Sequence, residues 1–223
     1  MAKALDLEEQ EQLDQIKHFW KKYGNLISWV LIVVLGGYAA WNGYQYWERN
    51  QAAKAAVLFD EVERAVSAND LARVQRTLAD MKDKFPKTLF AHQAALMAAK
   101  SLHAHGKTDE TRTTLKWVID AAPDSAYRDI ARLRLAGILL DAGVQDEALS
   151  LLAQPLAPSL KGLAFDLQGD IRMSKNQKDE ALTAYRNAWQ FLEDIPDYRR
   201  LVEAKLNAMG VDPQFSDPAG NSK

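Results

Sequence analysis

The sequence predicts an all-α fold in which one transmembrane helix near the N-terminus precedes an α-solenoid of paired helices that ends in a capping helix. Two observations support this prediction. The 25 residues from Tyr23 to Trp47 include no charged side chain, and roughly 20 apolar residues suffice to cross the core of a bilayer. Downstream, prolines recur at positions 86, 123, 158 and 196. Their spacing of 35–38 residues is typical of helix-pair repeats.

The apolar segment, residues 23–47, is predicted to stay in the membrane as a signal-anchor helix. A buried helix of a soluble protein rarely extends over 25 residues without a charge. The alternative is a signal peptide that is cleaved, and the small-x-small triplet Gly37-Tyr38-Ala39 lies near a possible cleavage position. Secretory signals, however, begin with a short basic leader. The leader of this chain is long and largely acidic. Aromatic residues, which favour the headgroup level, mark both ends of the segment: Trp20, Tyr23, Tyr38, Trp41, Tyr44, Tyr46 and Trp47.

The charges beside the span predict its orientation. Lys17, Lys21 and Lys22 precede it, whereas the first two charges after it cancel. Because positive residues stay on the cytoplasmic side, residues 1–22 are predicted to form a cytoplasmic leader, with residues 48–211 on the other side of the membrane. The leader carries apolar residues near helical spacing and is expected either to rest at the membrane interface or to bind a partner: Leu5, Leu13, Ile16 and Trp20.

Each interval between the prolines has the pattern of a helix, a tight turn and a second helix. Gly106, Gly143 and Asn176 suit the left-handed position at which a helix ends. An aspartate follows each turn residue by three positions, and the expected N-caps of the second helices are Asp109, Asp146 and Asp179. The helices predicted after the span cover residues 53–66, 71–84, 90–105, 110–122, 128–142, 147–154, 163–175, 180–193 and 198–209.

These units resemble tetratricopeptide repeats. Ala148 and Ala181 match the small residue of the second helix in that repeat, and Gly169 and Tyr185 match positions at which two helices approach closely. The match is partial, because other residues stand where the repeat usually has an alanine, a leucine and an aromatic residue: Thr111, Gln168 and Arg172. The resemblance implies a stack of helix pairs that binds other proteins.

Composition and motifs give no sign of catalysis. The chain has no cysteine, and its 28 Lys and Arg balance 30 Asp and Glu, which is unlike a protein that binds nucleic acid. No phosphate loop, dinucleotide fingerprint or nucleophile elbow is present, and we expect no catalytic, cofactor-binding or metal-binding residue. The histidines are expected to be solvated side chains near helix ends: His18, His92, His103 and His105. Residues 212–223, with several Pro, Gly, Asn and Ser, are predicted to be a disordered tail.

One helix, residues 128–142, is apolar almost all round and predicts a partner-binding groove. A helix with only one buried face would not need so many apolar positions. Two outcomes are open: the extra positions line a groove for clients or partners, or the C-terminal helix folds back and fills the space. The candidate groove residues on this helix and its neighbours are Leu96, Ile130, Leu133, Leu140, Leu163 and Met173.

The span carries a second candidate contact face. Gly36, Ala40 and Gly43 fall at i, i+4 and i+7, so they share one side of the helix. Small residues on one face permit close packing against another transmembrane helix. Because small residues are common in spans generally, a chance arrangement is the alternative.

The chain as a whole resembles the YfgM family of ancillary subunits of the bacterial SecYEG translocon. The resemblance is carried by residues 11–20 (Glu-Gln-Leu-Asp-Gln-Ile-Lys-His-Phe-Trp), by Tyr23-Gly24-Asn25, and by residues 43–51 (Gly-Tyr-Gln-Tyr-Trp-Glu-Arg-Asn-Gln) on either side of a single span. It implies an inner-membrane protein with its helical domain in the periplasm. It also implies association with SecYEG and with a membrane-anchored periplasmic chaperone of the PpiD type, close to unfolded secretory clients.

We therefore expect a non-enzymatic ancillary subunit that assists secreted or envelope proteins as part of a periplasmic chaperone network. The membrane anchor would raise the effective concentration of the repeat domain where polypeptide emerges. The alternative is a membrane-tethered scaffold in envelope assembly or stress signalling, whose cytoplasmic leader binds a regulator.

Overall fold

The computed structural model describes residues 7–213, with side chains from residue 11 onward, and within that range all regular structure is helical. The predicted all-α class is therefore confirmed. Most of the predicted tail, from residue 214, lies outside the described residues, as does the start of the leader, including Leu5. The helices are α1 Leu7–Ser67, α2 Leu71–Lys84, α3 Leu89–Ala104, α4 Thr108–Ala121, α5 Ser125–Asp141, α6 Gln145–Ala153, a 3₁₀ helix Pro158–Leu160, α7 Lys161–Ser174, α8 Lys178–Phe191 and α9 Pro196–Ala208.

The chain divides into two compact units, residues 1–51 and 52–223. In the first unit, α1 is long and apolar enough to cross a membrane, and it is the one such helix in the described part of the chain. Every apolar side chain from Val30 to Leu35 is more than half exposed. Because no described part of the protein covers them, these side chains avoid water there only if lipid or another protein surrounds them.

The second unit is a stack of helices in which each helix from α2 to α9 packs against the next. The last residues of α1 join this stack, where the ring of Phe59 lies 5.8 Å from that of Phe90 on α3. Alanines line the buried side of α3 and let neighbouring helices approach closely, while leucines such as Leu115, Leu135 and Leu139 fill the spaces between turns. The buried alanines of α3 are Ala91, Ala94, Ala95, Ala98 and Ala99.

The predicted helix stops are confirmed. Gly106, Gly143 and Asn176 have φ angles of 71°, 74° and 59°, which lie in the left-handed region. The same device also ends α1, because Asn69 has a φ of 55°. A left-handed residue turns the chain back so that the second helix of each pair can pack on the first.

The predicted N-caps at Asp109, Asp146 and Asp179 are wrong. The second helices begin earlier, and their N-cap positions carry Lys107, Val144 and Gln177, which make no capping hydrogen bond through a side chain. The three aspartates instead lie in the first helical turn, where a carboxylate interacts favourably with the positive end of the helix dipole.

Gly169 of α7 marks a close approach between α7 and α8. A Cβ atom at this position would lie 2.3 Å from Cε1 of Tyr185 on α8. Gly162, about two turns earlier on the same face of α7, is crowded in the same way by the side chain of Leu192. The flat ring of Tyr185 therefore packs directly on the backbone of α7, which only glycine permits.

The C-terminal helix α9 caps the stack through both apolar and polar contacts. Val202 and Leu206 are fully buried against α8. Five side chains, which we call the polar latch, then tie α9 to α7 and α8: Asp166, Asp170, Tyr185, Tyr198 and Lys205. Lys205 Nζ donates to Asp166 at 2.8 Å and to Asp170 at 2.7 Å, and the hydroxyls of Tyr198 and Tyr185 donate to Asp166 and Asp170, each at 2.8 Å.

The expectation that all four histidines are solvated is wrong for His92. Its side chain is fully buried on α3, and its ring stacks on Trp117 of α4 at a centroid distance of 4.8 Å. Neither ring nitrogen has a hydrogen-bond partner in the described structure. Burial lowers the pKa of His92 from its ordinary value of 6.5, and the backbone of Pro86 opposes this shift only in part. Lys82 of α2 also lies beside this stack, with its Nζ 5.0 Å from the centroid of the Trp117 ring.

The buried imidazole predicts an acid-sensitive repeat domain. Because the pKa of His92 is lower in the folded state, the unfolded state binds the proton more readily, and stability falls as the pH drops below 6.5. We expect the free energy of unfolding of the wild type, measured by urea titration in detergent, to decrease by up to about 1.4 kcal/mol per pH unit in that window. The variant His92→Phe keeps the stacked ring and should lose this part of the pH dependence; parallel pH profiles for both proteins would contradict the prediction.

Candidate partner-binding groove

The structure divides the six predicted groove residues between two apolar clusters. Leu96 is buried, with 6% of its surface exposed, in the larger cluster formed mainly by α1 to α7. Ile130, Leu133 and Leu140 of α5 are half-buried and pack against the same cluster. The remaining two residues, Leu163 and Met173 of α7, are half-buried and pack against the smaller cluster that includes α9.

The last helix covers one end of the predicted site. Leu163 and Met173 belong to the cluster that Val202 and Leu206 of α9 complete, whereas Leu133 and Leu140 pack in the other cluster. The six residues therefore do not form one apolar surface. A partner role for their half-exposed members stays a prediction.

An open groove does exist on the repeat domain, but between α3 and α5, and its rim is polar. It has a volume of about 430 Å³. None of the six predicted residues lines it. Its lining residues are Ala99, Lys100, His103, Thr111, Leu115, Arg134, Gly137, Ile138 and Asp141, and we refer to it as the α3–α5 groove.

The geometry of the α3–α5 groove follows from the repeat. The guanidinium Nη1 of Arg134 donates to the backbone oxygen of Leu96 at 2.9 Å, which places residue 134 of α5 beside residue 96 of α3. Ala99 and His103 of α3 and Gly137 and Asp141 of α5 line the same groove. Two successive first helices, α3 and α5, thus lie side by side, as expected for stacked repeats.

Arg132 and Arg134 of α5 have different structural roles, which the sequence alone does not distinguish. Arg132 is buried and forms an ion pair with buried Asp129, and it also donates to the side chain of Gln154 at 3.0 Å. Asp129 in turn accepts from the backbone N–H of Ala157 at 2.9 Å. This pair fixes the segment after α6 and is structural, whereas Arg134 is exposed and lines the groove.

A simple signal in the sequence could have located the groove. If α3 and α5 are equivalent first helices, residues separated by one repeat lie side by side, so polar positions such as Lys100 and Arg134 fall on neighbouring turns of one surface. The predicted groove was based instead on the excess of apolar residues on α5. That excess instead reflects contacts of α5 with its neighbours α4, α6 and α7.

The small residues of the span lie on an open surface. A Cβ atom built at Gly36 or Gly43 would meet no other atom within 4 Å, and Ala40 between them is exposed. Nothing in the described part of this chain packs on that face. Its use as a contact for another helix stays a prediction.

Metal-ligating side chains are not grouped in the structure. Among the described residues, no three His, Cys, Asp or Glu side chains are placed to hold a metal ion. The strongest pKa shifts are those of Tyr185 and Tyr198, where burial and, second, the hydrogen bond to an aspartate raise the pKa well above the usual range of a phenol. Both tyrosines belong to the polar latch, so their shifted pKa values have a structural origin.

Comparison with known proteins relates the whole chain to one group. A family model described as a tetratricopeptide repeat-like domain matches residues 17–211. A Neisseria gonorrhoeae protein named ancillary SecYEG translocon subunit is 31% identical over 207 residues, which cover 92% of this chain and 99% of that protein. Proteins of the same name from Haemophilus influenzae and Escherichia coli are 26% and 22% identical, over 92% and 91% of this chain and 98% and 97% of their own lengths. No solved structure gives a significant match.

Proposed function

Because the chain belongs to the YfgM family of ancillary SecYEG translocon subunits, which have a tetratricopeptide repeat-like domain, we propose that it is held beside the SecYEG channel by its span and presents its repeat domain to other proteins there. The family consists of non-enzymatic subunits, so the activity to explain is binding. The single observation that supports the proposal most strongly is the combination, in one chain, of an uncovered apolar helix and a stack of helix pairs with an open groove.

The proposed topology places residues 1–22 in the cytoplasm, residues 23–47 in the inner membrane and residues 48–211 in the periplasm. Its support is the cluster Lys17, Lys21 and Lys22 before the span, because positively charged flanks are retained on the cytoplasmic side. In this orientation the repeat domain faces the side of the membrane on which secreted chains emerge.

The proposed role is assistance to secreted or envelope proteins, together with a membrane-anchored periplasmic chaperone of the PpiD type. An anchored domain does not need high affinity, because tethering to the channel raises the local concentration of both partners to the millimolar range. Weak and general contacts to many unfolded chains would then suffice. A short groove with a polar rim and an apolar floor offers such contacts.

Site-specific photocrosslinking in living cells tests the proposal. A photoreactive residue at Ala40 lies on the small-residue face of the span, whereas one at Val34 lies roughly on the opposite side, since successive residues rotate by about 100° around a helix. We expect adducts with translocon subunits from Ala40 and fewer from Val34. Adducts that contain envelope-assembly or regulatory proteins but no translocon subunit would instead favour the scaffold alternative and overturn the proposal.

A further inference from the structure

We propose that the α3–α5 groove binds acidic segments of extended polypeptide, with Lys100 and Arg134 holding a carboxylate and the ligand backbone passing over Gly137. The first support is unpaired positive charge. Among the side chains of residues 11–213, none forms an ion pair with Lys100 or Arg134, although both of these residues line the same groove. Arg134 uses its Nη1 to hold the backbone oxygen of Leu96, and no described carboxylate occupies the rest of its planar fork. Such a fixed guanidinium is well suited to bind a carboxylate.

The second observation that supports the proposal is Gly137, a glycine that no packing contact within the described structure requires. Gly137 lies in the interior of α5, and a Cβ atom there would meet no other atom within 4 Å. Glycine in a helix interior is less stable than alanine, and here no close approach of a neighbouring helix requires it. Gly169 on α7 shows the contrast, because Tyr185 occupies the space in front of it. An open position that lacks a side chain, on the floor of a groove, lets the backbone of a ligand come close.

The positions of the charges in the groove predict the orientation of a bound peptide. Arg134 and Asp141 are seven residues apart on α5, which corresponds to about 10 Å along the helix. Asp141, the one carboxylate among the residues that line the groove, therefore projects from α5 about two turns away from Arg134. The acidic residue of a ligand is therefore expected at the Arg134 end, and a basic or N–H group at the Asp141 end.

The floor provides apolar contact for the same ligand. Ala99, Leu115 and Ile138 lie below the polar rim, and a volume of about 430 Å³ is enough for a few residues of extended chain. The site therefore fits a segment that alternates acidic and small apolar side chains. Unfolded polypeptide offers many such segments without a defined fold.

Binding of a labelled peptide to the full chain in detergent micelles tests the inference. The probe is a short peptide of alternating Asp and Ala, and a peptide of alternating Lys and Ala is its charge-reversed counterpart. We expect binding of the Asp peptide that weakens about tenfold in Arg134→Gln, since a charge-assisted hydrogen bond contributes roughly that factor. Lys100→Gln should weaken binding as well. Lys87→Gln removes an exposed lysine between α2 and α3 and is the matched control, with unchanged binding expected.

Gly137→Ala gives the most specific result. The added methyl group should leave the protein at least as resistant to urea as the wild type, while weakening the Asp peptide severalfold, because it fills the floor of the groove. Loss of binding through misfolding would instead lower the resistance to urea. The two effects are therefore separable in one protein.

Several results would overturn the inference. These are no binding of the Asp peptide, equal binding of the Lys peptide, or equal weakening by Arg134→Gln and Lys87→Gln. Arg134-dependent binding to phosphatidylglycerol vesicles without binding of the peptide would assign the groove to lipid headgroups instead. The assay contains no translocon, so its outcome is independent of the crosslinking experiment, and failure of the proposed function would leave this inference standing.

Discussion

Gly169→Ala is expected to lower the free energy of unfolding by about 2–3 kcal/mol, although alanine favours a helix over glycine by about 1 kcal/mol. The new Cβ atom would lie 2.3 Å from a ring carbon of Tyr185, so the ring or the helix must move. Displacement of the ring also weakens its 2.8 Å hydrogen bond to Asp170. Urea titration of the full chain in detergent, followed by circular dichroism, measures the change.

Gly137→Ala is the matched control for this prediction. Both glycines lie in the interior of a first helix, but the space in front of Gly137 is open. This control should raise the free energy of unfolding by about 0.5–1 kcal/mol through helix propensity alone. If both substitutions change stability by the same amount and in the same direction, the packing of Tyr185 on the backbone of α7 does not hold.

Lys205→Met is expected to destabilise the protein by about 2–3 kcal/mol. Lys205 is the one cation that bonds Asp166 and Asp170 in the polar latch, and Asp166 is almost fully buried. Removal of the ammonium leaves two neighbouring carboxylates without a counter-charge. Loss of one partner of a fully buried pair costs about 3–5 kcal/mol, and the partial exposure of Lys205 and Asp170 reduces this.

Arg200→Met on the same helix is the control for the latch. Arg200 pairs with Asp197, but both side chains are mostly exposed, and such a pair contributes about 0–1 kcal/mol. A second variant combines Lys205→Met with Asp166→Asn and Asp170→Asn. It should recover part of the lost stability, because it removes the uncompensated charges. Equal effects of Lys205→Met and Arg200→Met in urea titrations would contradict the structural role of the latch.

Local signals in the sequence were sufficient for the order of the helices and for the turns between them. Gly106, Gly143 and Asn176 end their helices in the left-handed conformation because few other residues adopt it readily. The boundaries of α2, residues 71–84, agree with the prediction because Asp70 caps it through its side chain. The second helices start earlier than predicted since no side-chain cap marks their first residue.

The site was harder to predict because its properties depend on contacts between distant residues. The apolar character of α5 indicated contact with its neighbours but not which face stays open. Lys205 meets Asp166 and Asp170 across 39 and 35 residues, and nothing local in the sequence indicates that pairing. The burial of His92 has the same origin, since it depends on Trp117 of the following helix.

Topology determines whether the repeat domain can reach secreted chains, and cysteine labelling measures it directly. The chain has no native cysteine, so Gln15→Cys in the leader and Gln190→Cys on α8 each introduce a single thiol at an exposed position. In intact cells a maleimide that cannot cross the inner membrane should label Gln190→Cys but not Gln15→Cys, and both proteins should remain in the membrane fraction. Labelling of Gln15→Cys alone, or release of the protein into the soluble periplasm, would contradict the account.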